Sequence, residues 1–157
     1  MKKIAIFADV QNIYYTTRDI FQRQFNYHAL WDKVSAQGNI VSAYAYAIDR
    51  NDIKQKKFQS ALSQIGFTVK LKPYIQRTDG SAKGDWDVGI TIDILEQSKH
   101  VDNIILLSGD GDFDILLNHI KTQYQTKTDV YGVSELTATS LKLSATNFYP
   151  IDSDLLI

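Results

Sequence analysis

The sequence predicts an α/β fold: a three-layer domain with a mostly parallel central sheet and helices on both faces. Short apolar runs alternate along the chain with longer segments of helical periodicity, which is the pattern of such folds. Two of these runs are apolar at almost every position, as strands buried on both faces are. The 157 residues suffice for one core, and we predict a single domain over residues 1–157.

The predicted strands are short and rich in aliphatic residues. The first is a continuous apolar run that ends at Asp9, and the second alternates small residues with Tyr44, Tyr46 and Ile48. The third precedes Pro73, and the fourth reads Asn-Ile-Ile-Leu-Leu. We predict strands at residues 3–8, 40–48, 67–71, 103–107, 127–133 and, as an edge strand, 148–151.

The predicted helices carry apolar residues at intervals of three and four. Phe58, Leu62 and Ile65 have this spacing, and Gly66 is a natural stop for their helix. A loop with Asp79-Gly80 occupies residues 76–84. We predict helices at residues 12–24, 30–36, 51–65, 85–98, 112–124 and 136–145.

Composition excludes several classes of protein. The chain has no cysteine, which excludes disulfides, zinc–thiolate sites and cysteine nucleophiles. Its net charge of -1 provides no global attraction for nucleic acid, so a local patch or bound cations must supply it. No stretch approaches the roughly 20 apolar residues of a membrane span. We therefore expect a soluble cytoplasmic protein with no membrane partner.

Acidic residues follow two of the buried strands. Asp9 ends the first strand, and Asp110 and Asp112 closely follow the strand at 103–107. If these strands are neighbours where the strand order reverses, their carboxylates meet at one edge of the sheet. Asp85 and Asp87 open the helix that leads into the second of these strands, so we expect them near the same edge.

Clustered carboxylates cannot all stay ionised without a cation, and oxygen ligands favour Mg²⁺ or Mn²⁺. Such ions assist phosphodiester hydrolysis. Each acid also has a simpler role, because Asp110 or Asp112 alone suits a helix N-cap, and Asp85 and Asp87 suit a first helical turn. The sequence contains no Walker-type glycine-rich loop, and its three histidines are scattered. The prediction therefore depends on the convergence of the acids.

Three blocks in this order resemble the NYN domain family, specifically its LabA-like branch within the PIN-like nuclease superfamily. They are residues 6–12 (Ile-Phe-Ala-Asp-Val-Gln-Asn), 83–93, which begin Lys-Gly-Asp-Trp-Asp, and 107–113 (Leu-Ser-Gly-Asp-Gly-Asp-Phe). Residues 130–133 (Val-Tyr-Gly-Val) and 150–152 (Pro-Ile-Asp) also resemble the branch. The resemblance covers nearly the whole chain and implies a PIN-like, Rossmann-like sheet with a divalent metal held by acidic residues.

The resemblance also assigns roles to individual residues. It implies that Asp9, Asp87, Asp110 and Asp112 bind the metal and are catalytic, and that Asn12 orients a water or phosphate. It places the Ser108 hydroxyl beside this cluster. The second-tier metal ligands are Asp93, which points to another side of its helix than Asp87, and Asp114, a substitute for Asp112.

RNA, or less often DNA, is the substrate that the resemblance implies. For substrate binding we select Arg77, Lys83 and Trp86, because they closely precede Asp87 and combine positive charge with an aromatic ring. Lys70, Lys72 and Tyr74 lie around the same loop, and Tyr14 and Tyr15 follow Asn12 on its helix.

The leading hypothesis is a metal-dependent ribonuclease, a hydrolase that cleaves single-stranded RNA. The alternative is a non-catalytic nucleic-acid- or protein-binding regulator that keeps the metal site. A haloacid-dehalogenase-like phosphatase needs a second acid two residues after Asp9, where this chain has Gln11. A phosphoacceptor domain needs neighbouring acids at the end of the first strand, where Asp9 stands alone. The C-terminal edge strand would permit a homodimer.

Overall fold

A parallel sheet is the centre of the computed structural model, which describes residues 1–73, 75–76, 82–83 and 85–157, the side chains of 73, 75–76 and 82–83 excepted. The described strands are β1 (Lys3–Asp9), β2 (Asn39–Asp49), β3 (Thr68–Pro73), β4 (Ile75–Gln76), β5 (Ala82–Lys83), β6 (Asn103–Leu107), β7 (Lys127–Gly132) and β8 (Asn147–Pro150). Six of them form one sheet in the order β3-β2-β1-β6-β7-β8, and every pairing in it is parallel.

Helices cover both faces of this sheet. They are α1 (Val10–Phe21), α2 (Tyr27–Ser35), α3 (Ile53–Ile65), α4 (Asp87–Ser98), α5 (Asp114–Tyr124) and α6 (Thr139–Ser144). The first three pack on one side and the last three on the other. The predicted three-layer α/β fold is therefore confirmed.

The central strands supply both halves of the core. Along β1, Ile4 and Ile6 point into the cluster under α1–α3, whereas Ala5 and Phe7 point into the cluster under α4–α6. All of these residues are inaccessible to solvent. A strand that is apolar at consecutive positions can be buried on both faces only in the middle of such a sheet, which fixes β1 there.

The strand order reverses between β1 and β6. From β1 the chain proceeds outwards to β2 and β3, returns to the other side of β1 as β6, and continues outwards to β7 and β8. The two strands pair in parallel, with Ala8 beside Leu107. In open α/β sheets the crevice beyond the carboxyl ends at such a point is the usual ligand site.

Several boundaries differ from prediction because side chains or tight contacts redirect the backbone. The helix predicted at 112–124 begins as a short 3-10 helix, Gly111–Phe113, since Asp110 accepts a hydrogen bond from the Asp112 N–H. The helix predicted at 136–145 is likewise split into a 3-10 helix, Ser134–Leu136, and α6. The helix predicted at 12–24 starts directly after Asp9 and ends at Phe21.

Residues 76–84 were predicted to be a loop, but this segment includes residues of β4 and β5, which pair in antiparallel fashion. The C-terminal end of α3 is as predicted: Gly66 has φ 136°, and the Trp31 ring would lie 2.6 Å from an added Cβ. Only glycine meets both conditions. None of the helices in the described part of the chain combines the length and apolar character that crossing a bilayer requires.

Candidate active site

The carboxyl ends of β1 and β6 bring Asp9 and Ser108 together. Asp9 is the last residue of β1 and Ser108 is the first residue after β6, and each directly follows the last pair between these strands, Ala8 and Leu107. The Ser108 hydroxyl donates a hydrogen bond to Asp9 Oδ2 over 3.1 Å. Both residues are buried, with Asp9 8% and Ser108 0% exposed. A buried carboxylate with a single side-chain donor is incompletely compensated for its lost hydration.

The loop after β6 is held by hydrogen bonds that direct Asp110 towards Asp9. The Gly109 N–H donates to Asn12 Oδ1 over 2.9 Å, and the Asp110 N–H donates to Ser108 Oγ over 3.2 Å. Gly109 has no room for a side chain, because a Cβ there would lie 3.0 Å from the Leu136 carbonyl oxygen. The loop backbone therefore lies close to both the 3-10 helix at Ser134–Leu136 and α1, and Asp110 faces the switch point.

The N-terminus of α4 is anchored by Trp86, which places Asp87. The Trp86 Nε1–H donates to the Ala47 carbonyl at the end of β2 over 2.9 Å. Its ring lies 5.3 Å from the Tyr46 ring. On the other side the ring contacts α4 so closely that a Cβ at Gly89 would lie 2.6 Å from it. Because Asp87 is the next residue and begins α4, this anchor holds it beside the sheet edge.

Three carboxylates converge at this edge. One oxygen each from Asp9, Asp87 and Asp110 lies within 4.8 Å of the others. Asp87 and Asp110 are partly exposed, so the cluster opens to solvent. None of the ion pairs formed among the described residues includes any of the three. The cluster is thus a concentration of negative charge without a cationic partner in the described part of the chain.

Burial, together with the crowded charges, raises the pKa of two members of the cluster. Burial raises the pKa of Asp9 to about 6, partly offset by the Ser108 hydrogen bond, while Asp110 and Asp85 add repulsion. Burial also raises the pKa of Asp87 to about 7. The next largest causes of this increase are the hydrogen bond with Asp110 and the repulsion from its charge. Two carboxylates at such a distance share a proton unless a cation replaces it.

The donor set fits a hard divalent cation. All candidate ligand atoms are carboxylate oxygens: one lies at a buried base, and two lie at an open rim where water or substrate would complete the coordination of a bound ion. Mg²⁺ and Mn²⁺ prefer such oxygen ligands and keep several positions for water and phosphate. Asp9, Asp87 and Asp110 come from three different elements, as the convergence argument predicts.

The other predicted acids lie outside this group. Asp112 is exposed on the 3-10 helix, where its N–H donates to the capping carboxylate of Asp110. Asp93 points to another side of α4, where it accepts hydrogen bonds from the Tyr46 hydroxyl over 2.7 Å and Lys70 Nζ over 2.6 Å. Asp114 accepts a hydrogen bond from the Ile115 N–H at the start of α5.

The predicted substrate-binding residues are placed only in part. Arg77 lies outside the described residues, as does Tyr74, and of Lys83 only the backbone is described, in β5. Trp86 has its ring packed against Tyr46 and covered by Lys72, whose Nζ lies 4.6 Å from the ring centroid. Lys72 also donates to the Asp85 carbonyl over 2.9 Å. This anchoring role was not predicted from the sequence.

The comparisons with known proteins agree with this fold. The family model described as "NYN domain" matches residues 3–152. The low amplitude and bright protein LabA of Synechococcus elongatus is 29% identical over 158 residues, which cover 94% of this chain and 82% of LabA. A crystal structure of a protein of unknown function from Vibrio parahaemolyticus is 52% identical, with a TM-score of 0.94 over 99% of this chain and 96% of that one.

NYN domains are a PIN-like nuclease family, so the match indicates a function related to nucleic acids. The match to the family model leaves out only the first two and the last five residues of the sequence. The similarity to LabA agrees with the branch suggested by the sequence blocks. The chain therefore belongs to the NYN domain family.

Proposed function

We propose that this protein is a metal-dependent ribonuclease that hydrolyses phosphodiester bonds of single-stranded RNA at the carboxylate cluster. One observation carries the proposal: Asp9, Asp87 and Asp110 present three oxygens within 4.8 Å of one another. No described ion pair neutralises them. An arrangement that raises the pKa of two of its own members is unfavourable for the isolated protein, and strongly perturbed acids in an open cleft are typical of functional sites.

In this proposal Asp9, Asp87 and Asp110 hold the ion, with Mg²⁺ and Mn²⁺ as the candidates. When bound, a divalent ion supplies an acidified water and offsets the negative charge that develops on the phosphate. The cluster opens to solvent on the side of Asp87 and Asp110, so the scissile phosphate approaches from that side.

Ser108 and Asn12 complete the site. The Ser108 hydroxyl stabilises the ionised form of Asp9 by its hydrogen bond, which is the form that binds a cation. The Oδ1 of Asn12 is occupied by the Gly109 N–H. Among the described hydrogen bonds its Nδ2 has no acceptor, and we assign this amide to a phosphate oxygen or a water. Arg77 and Lys83 remain candidates for phosphate contacts.

The test is cleavage of an end-labelled single-stranded RNA in Mn²⁺ or Mg²⁺. Wild type is compared with Asp110→Asn, with an EDTA sample and with Asp102→Asn as matched control. Asp102 precedes β6 at the opposite edge of the sheet, where it accepts a hydrogen bond from the Lys3 N–H over 2.8 Å. It therefore undergoes the same chemical change away from the cluster. We expect cleavage by wild type and Asp102→Asn, and a loss of about 100-fold or more in Asp110→Asn.

The outcomes separate the competing functions. Cleavage that persists in Asp110→Asn contradicts the proposal, because such cleavage does not need the cluster. Cleavage that persists in EDTA contradicts it as well, because such cleavage does not need a metal. Metal binding by calorimetry without cleavage of RNA in either ion favours the non-catalytic regulator.

A further inference from the structure

An aromatic pair capped by a guanidinium lies on the solvent side of α1. The Tyr14 and Tyr15 rings are 5.3 Å apart at 69°, an edge-to-face arrangement. The Arg18 guanidinium lies 4.9 Å from the Tyr15 centroid and 5.5 Å from that of Tyr14. Tyr14 is 51% exposed, and the Arg18 side chain is 55% exposed. We call Tyr14, Tyr15 and Arg18 the α1 platform.

The fold does not require this platform. The buried side of α1 consists of Val10, Ile13, Thr16 and Thr17, and the two threonine hydroxyls are hydrogen-bonded to carbonyls of the same helix. The ion pair of Arg18 with Asp19, at 3.4 Å and more than half exposed on both sides, contributes little to stability. The exposed part of the Tyr14 ring and the outer face of the guanidinium are therefore available to a ligand.

The platform begins one helical turn beyond Asn12, with Tyr15 as its nearest member and with Tyr14 and Arg18 further round α1. Tyr15 lies three residues after Asn12, and residues at this spacing are neighbours on a helix surface, with Cβ atoms about 5–6 Å apart. The Asn12 side chain accepts the Gly109 N–H, and Gly109 directly precedes Asp110. A strand of nucleic acid whose phosphate lies at the cluster therefore reaches the platform with its neighbouring nucleotides.

The chemistry of the platform suits unpaired nucleotides. The cluster itself repels a polyanion, and the net charge of -1 provides no compensation, so binding energy must come from beside it. A guanidinium attracts phosphate and stacks on planar rings, and exposed aromatic rings stack on bases of any sequence. In a duplex the base faces are already covered by their neighbours.

We propose that the α1 platform is a substrate subsite that stacks unpaired bases of single-stranded RNA next to the cleavage site. This inference rests on the proposed function for its choice of RNA, but its test does not depend on cleavage.

The test measures binding of a short single-stranded RNA that contains the fluorescent base 2-aminopurine. Asp110→Asn serves as background so that the RNA stays intact in Mg²⁺. Tyr14→Ala and Arg18→Ala should each raise Kd roughly tenfold and reduce the quenching of the base, whereas Tyr14→Phe keeps both. The matched control is Tyr124→Ala at the far end of α5, where Lys99 Nζ lies 5.9 Å from the Tyr124 ring.

The results distinguish failure of the subsite from failure of the proposed nuclease. An unchanged Kd in Tyr14→Ala and Arg18→Ala overturns the subsite even if wild type cleaves RNA. So does duplex RNA that competes as well as unlabelled single strand, or a wild type that does not bind single-stranded RNA. Binding that depends on Tyr14 supports the subsite even if wild type cleaves nothing, an outcome that removes only the nuclease proposal.

Discussion

The Ser108 hydroxyl donates a hydrogen bond to Asp9 over 3.1 Å, although the two residues are 99 positions apart in the chain. This contact joins the ends of β1 and β6 at the point where the strand order reverses. It also connects the fold to the chemistry of the site, because it is the largest influence that lowers the pKa of the buried Asp9.

Ser108→Ala should make Asp9 less acidic. The pKa of Asp9 is about 6 with the hydrogen bond in place, and its loss raises the pKa further. Because the ionised form binds the cation, the acidic limb of the pH dependence of Mn²⁺ affinity should shift to higher pH. Calorimetric titrations between pH 5 and 8 measure the shift. A pH dependence identical to wild type would show that Ser108 has no influence on Asp9.

The metal-free protein should lose stability as the pH rises. The folded-state pKa of Asp87 is about 7, above its ordinary value of 3.8, so the folded state binds a proton more tightly than the unfolded state. The resulting stabilisation is full below about pH 3.8 and disappears as the pH rises through about 7. Urea unfolding in EDTA at pH 5 and pH 8 should show the decrease.

Asp87→Asn is the control for this pH effect. The variant lacks the titrating group, so its stability should decrease less between pH 5 and 8 than that of wild type. Addition of Mg²⁺ or Mn²⁺ should restore the stability of the wild-type protein at pH 8, since a bound ion stabilises the folded state. A pH dependence of equal size in Asp87→Asn would assign the effect to another group.

Gly89→Ala should displace the Trp86 anchor. The added Cβ would lie 2.6 Å from the Trp86 ring, and overpacking of this kind destabilises by about 1–3 kcal/mol. The gain of roughly 0.5–1 kcal/mol from replacing a helical glycine opposes this loss but does not cancel it. We expect lower stability together with weaker Mn²⁺ binding, because Asp87 moves with Trp86.

Val88→Ala tests whether that effect is specific to the anchor. Val88 is the neighbouring helical residue and is 70% exposed, so its truncation should leave both stability and Mn²⁺ affinity nearly unchanged. If Gly89→Ala proves as stable as wild type and binds Mn²⁺ equally well, Trp86 does not position Asp87.

Asp93→Asn should separate a structural acid from the cluster. Asp93 accepts hydrogen bonds from Tyr46 and Lys70, and it pairs with Lys70 over 2.6 Å. Loss of its charge should destabilise the protein by about 1–2 kcal/mol while Mn²⁺ affinity stays within a few-fold of wild type. Chemical unfolding and calorimetry measure the two effects. A loss of metal binding at unchanged stability would indicate that Asp93 is a metal ligand.

The architecture and the centre of the site could be predicted from the sequence because they depend on chain order and strand ends. Alternating apolar segments predict the parallel sheet, and an order reversal beside β1 places Asp9 next to the end of β6. Asp110 and Asp87 follow from that adjacency, and the three do form one group. These features need no knowledge of side-chain conformation.

Side-chain direction could not be predicted. Asp112 is two residues from Asp110, but the 3-10 helix that Asp110 caps separates them. Trp86 looked like a base-stacking residue, whereas its indole is committed to Ala47 and Tyr46. The contacts that hold Trp86 come from β2, which the local sequence around 85–113 does not reveal.

The proposed metal centre is tested by locating Mn²⁺ through anomalous scattering in crystals of the wild-type protein. We expect one ion whose nearest protein atoms are carboxylate oxygens of Asp9, Asp87 and Asp110, at about 2.1 Å, as for ions of this kind. We also expect Asp110→Asn crystals to lose that ion. An ion held instead by Asp93, Asp112 or Asp114, or none at the end of β1, would contradict the proposed metal centre.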